Sequence, residues 1–254
     1  MKNRLRYLAL SACVGVALGA AQAATGAGYE VLPKTGNAVL TTCNPSNSPT
    51  VDRCKVDSLP GKEGYTLVAA RSAPLIFNDI TVGTVYEKVW QNTTHPKRYI
   101  FGTRLVMNAN QWDASGLAFN VNDVFRQSLP HQNVSIAYFP GGATKALQKS
   151  GRTVQGLNEF DGPQPDRNNT WVDFRIDANA ADPDGLSSPQ SPWLLTKTQA
   201  PTGIVLNALG LRVLNSDVAD FSAAVDFFTT SYQPNGVPPP ADDGDDDVDD
   251  NDGW

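Results

Sequence analysis

Residues 80–139 read ITVGTVYEKVWQ (80–91), KRYIFGTRLVMNAN (97–110), GLAFNVNDVF (116–125) and VSIAYF (134–139), four segments separated by turn-forming residues. Apolar and polar side chains alternate along each segment. Because successive side chains of a strand point to opposite faces of a sheet, this alternation indicates strands with one buried face. The block therefore predicts consecutive β-strands that form the scaffold of the domain.

The same alternation predicts which side chains share a face. On the first strand we place four residues together: Ile80, Val82, Tyr86 and Trp90. On the second strand one face holds Tyr99, Phe101, Leu105 and Met107, and the other holds Arg98, Arg104 and Asn108. Further along, residues 171–177 place Val172, Phe174 and Ile176 inward and Asp173, Arg175 and Asp177 outward. In each case we expect the apolar face to pack in the core.

The remaining elements are shorter or less regular. Additional strands are expected at 29–32, 38–40, 65–70, 74–77 and 193–198. Residues 203–214 are apolar on both faces, which is typical of a central strand. Residues 143–149 predict two helical turns. Residues 218–228 carry apolar side chains at helical spacing, with a strand as the alternative.

The pattern as a whole predicts a mainly β fold. The chain of 254 residues contains 18 prolines and 21 glycines, which suit many short strands joined by turns. Long amphipathic helices do not alternate with the strands, so a parallel α/β sheet is disfavoured. We predict a single domain, an antiparallel β-sandwich or jelly-roll-like fold with one or two short helices.

The first 23 residues resemble a cleaved secretory signal peptide. Three basic residues precede an apolar stretch at 7–20, and Ala21-Gln22-Ala23 forms an A-x-A site that predicts cleavage before Ala24. A lipoprotein processing box ending at Cys13 competes with this interpretation, although its apolar stretch is short. We therefore expect export to the periplasm, the cell surface or the medium, with no transmembrane segment after cleavage.

The chain changes character after residue 232. Residues 24–232 form the predicted globular domain, and 233–254 form a proline-rich spacer with an acidic tail predicted to be disordered. Eight aspartates lie in residues 242–252, and outside the tail and the signal the chain holds 18 acidic and 17 basic residues. This balance gives no basic footprint for nucleic acid.

Two cysteines, Cys43 and Cys54, remain after loss of the signal. An even number of cysteines in an exported chain predicts a disulfide, which closes a loop of about a dozen residues and stabilises the fold by roughly 3 kcal/mol. Two cysteines and two distant histidines supply too few well-spaced ligands for a structural zinc site.

Calcium is the one cofactor that the sequence offers a candidate site for. In the tail, Asp247, Asp249 and Asn251 have the spacing of the first ligands of a calcium loop, but the glycine and the final bidentate glutamate of such a loop are missing. A second acidic loop contains Asp177, Asn179, Asp182 and Asp184. Its Asp-Pro-Asp-Gly sequence is also a turn signature, which we favour for this loop.

Catalytic candidates are weak. Glu159 and Asp161 lie two residues apart, so a strand would place both carboxylates on one face, as a glycosidase requires of its acid pair. A solvated turn before Gly162-Pro163 explains them better, and we favour it. His95 and His131 are each next to a proline in loops, outside any recognisable nucleophile motif.

We therefore predict an exported, non-catalytic β-sandwich that binds a protein or glycan partner or contributes to an extracellular or cell-surface assembly. Two alternatives remain open. One is a secreted carbohydrate-active hydrolase that uses Glu159 and Asp161, and the other is a calcium-dependent surface protein that uses the two acidic loops.

Overall fold

The computed structural model describes residues 28–32, 54–61, 64–112, 116–130, 132–142, 149–152, 170–181, 188–215 and 225–236. Within these ranges the chain forms eleven β-strands and no helix. The strands are β1 (Glu30–Leu32), β2 (Tyr65–Phe77), β3 (Ile80–Asn92), β4 (Arg98–Met107), β5 (Val121–Gln127), β6 (Val134–Phe139), β7 (Lys149–Gly151), β8 (Trp171–Ala178), β9 (Trp193–Gln199), β10 (Ile204–Asn215) and β11 (Val225–Pro234).

The strands form two antiparallel sheets. The six-stranded sheet has the order β1-β6-β9-β4-β3-β2, and the five-stranded sheet has the order β11-β10-β5-β8-β7. Both sheets contribute apolar side chains to one shared core, so they pack face to face as a β-sandwich. The predicted fold class, a mainly β antiparallel sandwich, is confirmed.

The turns between the central strands follow from their sequence. Asn78 and Asp79 join β2 to β3, and both have positive φ (49° and 63°). Such a two-residue loop matches the right-handed twist of the strands, and Asn and Asp tolerate the left-handed conformation better than most residues. Between β3 and β4, the Asn92 Oδ1 atom accepts hydrogen bonds from the backbone amides of Thr94 and His95. This is the hairpin loop expected at 91–97.

The predicted faces of β4 and β8 are confirmed. Leu105 and Met107 of β4 lie in the core between the sheets, and Tyr99 and Phe101 are buried in a smaller cluster at one end of it. On β8, the buried core residues are Val172, Phe174, Ile176 and Ala178. The period-two pattern was sufficient on β4 because that strand pairs regularly with both of its neighbours. On β8 the core residues keep the period of two although the pairing with β5 shifts between Arg175 and Ala178.

The prediction that Ile80, Val82, Tyr86 and Trp90 share one buried face of β3 was right for the first two residues and wrong for Tyr86 and Trp90. Ile80 and Val82 pack in the core between the sheets, whereas Trp90 lies in a cluster of outer-face side chains. The pairing with β2 shifts at this point, because Leu75 pairs with Gly83 and Ile76 with Thr81, which leaves Val82 as an extra residue. A β-bulge of this kind reverses the face of every side chain on one side of it.

Two further segments differ from, or refine, the prediction, and three others lie wholly or mostly outside the described residues. Residues 65–77 form one continuous edge strand rather than two short ones. The segment with helical spacing ends inside strand β11, so the strand alternative is correct from Val225 onward. The expected helix at 143–149 lies outside the described residues except for Lys149, which begins β7. The expected strand at 38–40 and residues 237–254 also lie outside them.

A second apolar layer covers part of the outer face of the six-stranded sheet. It contains Trp90, Ile100, Ala137, Trp193 and Leu195, with Val56 and Leu59 packed against it. The segment that carries Val56 is held in place by β6, because the Val56 amide donates to the Tyr138 carbonyl at 2.9 Å. Gly102 is required beneath this layer, since a Cβ atom there would lie 2.9 Å from the Trp90 ring.

A buried ion pair joins the two sheets. Arg126 of β5 donates from Nη2 to Glu87 Oε1 of β3 at 2.8 Å, and the two side chains are only 2% and 1% exposed. Ser231 of β11 also donates to Glu87, and Arg126 donates to Thr103 of β4 and to the carbonyl of Tyr232. Every one of these groups faces the interior, so the network fixes how the sheets are aligned.

Arg71 extends this network to the sheet edges. Its Nη1 atom donates to the Thr230 carbonyl of β11 at 2.8 Å and lies 3.6 Å from Glu87 Oε2. Because β2 and β11 are the edge strands of their sheets, this contact closes one side of the sandwich. The side of the sandwich where β2 meets β11 is therefore held by charge-assisted hydrogen bonds as well as by apolar packing.

We predict that substitution Glu87→Gln lowers the free energy of unfolding by about 3–5 kcal/mol, because it leaves the Arg126 charge buried without its carboxylate. Urea denaturation measures the change. The matched control is Asp226→Asn, which removes the partly exposed partner of Arg212 and should cost no more than about 1 kcal/mol. The double variant Glu87→Gln/Arg126→Met should lose less than the two single losses together, and strict additivity would contradict the coupling.

Candidate functional site

The predicted carboxylate pair, Glu159 and Asp161, lies outside the described residues. So do Asp182 and Asp184 of the second acidic loop, and Asp247, Asp249 and Asn251 of the tail. The corresponding hydrolase and calcium hypotheses remain predictions. Within the described ranges, no group of three or more His, Cys, Asp or Glu side chains could hold a metal ion.

Two residues of the second acidic loop are described. Asp177 is half-buried on β8, and Asn179 is 8% exposed just after that strand. The Asn179 Oδ1 atom accepts a hydrogen bond from the Ala181 amide at 2.9 Å, a local turn contact. The backbone there returns to the sheet, because the Asn179 amide donates to the Ser188 carbonyl at 2.9 Å. The turn predicted for the Asp-Pro-Asp-Gly sequence at 182–185 lies outside the described residues and stays a prediction.

Cys54 is fully buried in the main core. Its carbonyl accepts a hydrogen bond from the Tyr138 amide at 2.8 Å, so the backbone at Cys54 is attached to β6. Cys43 lies outside the described residues, and the Cys43–Cys54 disulfide remains a prediction. A fixed position for one sulfur atom is what a structural bridge at this point would require.

Three tryptophans and one histidine could contribute to a binding site, and the structure places them as follows. Trp90 and Trp193 are 3% and 7% exposed, and Lys88 Nζ lies 5.2 Å from the centroid of the Trp193 ring. Trp112 packs edge-on against Phe119. His95 is exposed in the β3–β4 loop, where its Nδ1 atom lies 2.9 Å from Thr94 Oγ1. These indoles fill apolar layers, and none of these three presents an open stacking platform.

The outer face of the five-stranded sheet carries a charged cluster that the sequence reasoning missed. Its members are Asp123 on β5, Asp173 and Arg175 on β8, Arg212 on β10 and Asp226 on β11. We call these five residues the charged face. The outward direction of Asp173 and Arg175 was predicted correctly. Their burial was not predicted, since alternation shows which way a side chain points and not what lies above it.

Two ion pairs account for four members of the charged face. Arg175 Nη1 donates to Asp123 Oδ2 at 2.8 Å, and Asp123 is fully buried. Arg212 forms a short ion pair with Asp226, and its guanidinium group lies 4.8 Å from the centre of the Phe125 ring. Arg175 therefore pairs with Asp123, and Arg212 both pairs with Asp226 and packs against the aromatic ring of Phe125.

Asp173, the fifth member, differs from the others in the burial and hydrogen bonding of its carboxyl group. It is 0% exposed, and neither carboxylate oxygen has a well-formed hydrogen bond in the described part of the structure. Burial raises the pKa of Asp173 well above its usual range, and the negative charge of Asp123 raises it further. Arg175, Arg212 and the nearby Phe174 amide lower it by less. Asp173 is therefore neutral over a range of pH in which ordinary aspartates are ionised.

A different kind of surface lies on β10. The second half of this strand, from Leu211 to Leu214, pairs with both β5 and β11, whereas residues 204–207 pair with β11 alone. The register with β11 shifts between Asn207 and Leu211. We call residues 204–209 the apolar half-strand. Its three large exposed side chains are Val205, Leu206 and Leu209, at 39%, 50% and 56% exposure.

The apolar half-strand is held rigidly. Asn207 donates from Nδ2 to the side-chain oxygens of Gln127 and Gln233, each at 2.9 Å. The Leu209 amide donates to Asn207 Oδ1 at 3.0 Å. Ile204 packs inward against the cluster formed by Val89, Tyr99, Phe101 and Ala200. Its apolar side chains are therefore presented to solvent by an ordered strand.

Comparisons with protein-family models, with curated proteins and with solved structures find no match to this chain. Within the described residues, no helix has the length and apolar character needed to cross a membrane.

We predict that substitution Asp173→Asn stabilises the protein more strongly as the pH rises. In the unfolded chain, Asp173 releases its proton near the ordinary pKa of 3.8, while in the folded chain it keeps the proton to higher pH. Above about pH 4 the folded wild type therefore binds more protons than the unfolded chain, and its free energy of unfolding falls with pH, by at most about 1.4 kcal/mol per pH unit.

Denaturant unfolding of wild type and Asp173→Asn from pH 4 to pH 8 measures this difference. The amide cannot ionise, so the stability of the variant relative to wild type should increase with pH until Asp173 ionises in the folded protein. A difference that is constant across this range, or that shifts in favour of wild type as the pH rises, would show that the Asp173 carboxyl is not held neutral.

Proposed function

We propose that the protein is an exported, non-catalytic β-sandwich that functions by binding, as part of an extracellular or cell-surface assembly, and that the apolar half-strand is its contact surface. The observation that supports this is the exposure of Val205, Leu206 and Leu209 on an ordered strand. Because Val205 and Leu206 are consecutive and point to opposite faces, this half of β10 exposes apolar side chains on both faces, where a partner could cover them.

The sequence pattern strengthens this interpretation. Residues 203–214 are apolar on both faces, which predicts a strand covered on both sides. In the structure, Leu211 and Val213 lie in the core, whereas the first half of the same strand is exposed. A partner that covers the apolar half-strand would complete the burial that its composition indicates.

The energetics are of the right order for a specific contact. Full burial of one Val or Leu side chain contributes roughly 1.5–3 kcal/mol. Leu206 and Leu209 are already about half-buried, so each would contribute roughly 1 kcal/mol when covered. Because the side-chain amide of Asn207 already fixes the strand, little ordering cost opposes binding.

Export is supported by the sequence of residues 1–24 and agrees with a surface role. The hydrolase and calcium-dependent alternatives depend mainly on residues outside the described ranges, and no geometry of the described residues favours either. The partner in this proposal is a protein, because residues 204–207 pair with β11 alone in the described structure and a strand of a partner could pair along their other edge.

We predict that the double variant Leu206→Lys/Leu209→Lys reduces retention of the exported protein on producing cells. It should also weaken self-association of the purified mature protein, with a rise of at least about tenfold in the dissociation constant of self-association. Cell fractionation measures retention, and sedimentation velocity over a range of concentrations measures association.

The matched control is Leu117→Lys, at a side chain that is 60% exposed and lies outside the apolar half-strand. Both variants should keep the thermal unfolding midpoint of the wild type. If wild type and double variant are equally retained and sediment identically, the apolar half-strand is not the contact surface.

The export part of the proposal has a separate test. We expect mass spectrometry of the mature protein to find Ala24 at its N-terminus and a peptide that links Cys43 to Cys54. A lipid-modified N-terminal cysteine at position 13 would replace cleavage before Ala24 with lipoprotein processing. An unprocessed N-terminus would contradict export by either route.

A further inference from the structure

We propose that Asp173 is a proton-dependent latch for the edge strand β7: the neutral carboxyl keeps β7 docked on β8, and ionisation of the carboxyl releases β7. This inference does not depend on the proposed contact surface, because it concerns the opposite edge of the five-stranded sheet.

In the described part of the charged face, the carboxylates outnumber the guanidinium groups. The described charged face contains three carboxylates and two guanidinium groups, and the guanidinium groups of Arg175 and Arg212 bind Asp123 and Asp226. Lys149 of β7 stands opposite Arg175 in the register, and Asp177 follows Arg175 on the outward face of β8. Asp173 is left with no hydrogen-bonding partner for either carboxylate oxygen in the described part of the structure.

The neighbours of Asp173 across the sheet offer no donor. On one side it stands opposite Phe125 of β5, and on the other side it stands opposite Gly151 of β7. Phe125 presents an aromatic ring and Gly151 has no side chain. A charged carboxylate at this position would be both buried and unsolvated, which is a costly state that a protein avoids by protonation or by letting water in.

Water can enter most easily between β7 and β8. Strand β7 has three residues and stands at the edge of its sheet, so β8 is its one paired neighbour there. Strand β5, on the other side of Asp173, is paired on both edges. Short edge segments open at a lower free energy than strands that are paired on both sides.

The attachment of β7 passes through Asp173 itself. Ser150 donates from Oγ to the backbone carbonyl of Asp173 at 2.6 Å, and Ser150 is fully buried. The following Arg152 donates to the carbonyls of Gln132 and Leu129 and anchors the chain beyond β7. Release of β7 between these contacts would expose the Asp173 carboxylate and leave one edge of β8 unpaired. Acid therefore closes this edge of the sheet and neutral pH opens it.

Hydrogen exchange followed by mass spectrometry tests the latch on the full mature protein between pH 4 and pH 8, with each rate divided by the intrinsic rate at that pH. Protection of peptides that cover 149–152 and 171–178 should fall by about tenfold per pH unit over part of this range, because opening is linked to the loss of one proton. Protection of 193–199 in the six-stranded sheet should not change.

In Asp173→Asn, protection of 149–152 should no longer depend on pH, whereas Asp79→Asn, in the β2–β3 turn of the other sheet, should behave as wild type. The latch is contradicted if the wild type shows no pH dependence at 149–152, or if Asp173→Asn keeps it. If Asp173→Asn does not fold, the carbon-13 resonance of the Asp173 carboxyl is followed against pH in the wild type. Titration at the same pH as the loss of β7 protection supports the latch. Titration near pH 4 overturns it.

Discussion

The ion pair between Glu87 and Arg126 is the interaction on which the alignment of the two sheets depends. Apolar packing alone allows sheets to slide and rotate, because it is non-directional. The carboxylate of Glu87 receives donors from β5 and β11, while Arg126 also reaches β4, so four strands from both sheets converge on two side chains. A buried ion pair contributes little net stability, but its geometry is strict, and here it selects one register between the sheets.

Much of this architecture can be predicted from the sequence. Alternation identified β4 and β8 and their buried faces, because the core residues of both strands keep the period of two. It failed at Val82, where a bulge reverses the face of the strand, since the pairing partner that creates the bulge lies on another strand. The alternation also could not show that Glu87 and Arg126 form an ion pair. A charged residue within a strand sequence does not reveal whether its face of the sheet will be buried.

The same limit applies to the functional surfaces. The sequence placed Asp173 outward and 203–214 in a central strand, and both statements describe direction and composition correctly. The structure buries the outward aspartate and exposes the first half of the apolar strand. Burial depends on what the rest of the chain places above a residue, which is a tertiary property. The two most informative features of the molecule are therefore the places where burial disagrees with residue type.

These features divide the five-stranded sheet by role. The β10–β11 side exposes an ordered apolar surface, and the β7–β8 side contains a buried carboxyl beside a short edge strand. The central claim is that the first of these is covered in the working state of the protein. Hydroxyl-radical footprinting compares the protein on producing cells with the purified protein at high dilution. The account predicts that Leu206 and Leu209 are modified less on the cells while Leu117 is modified equally, and equal modification of all three would contradict it.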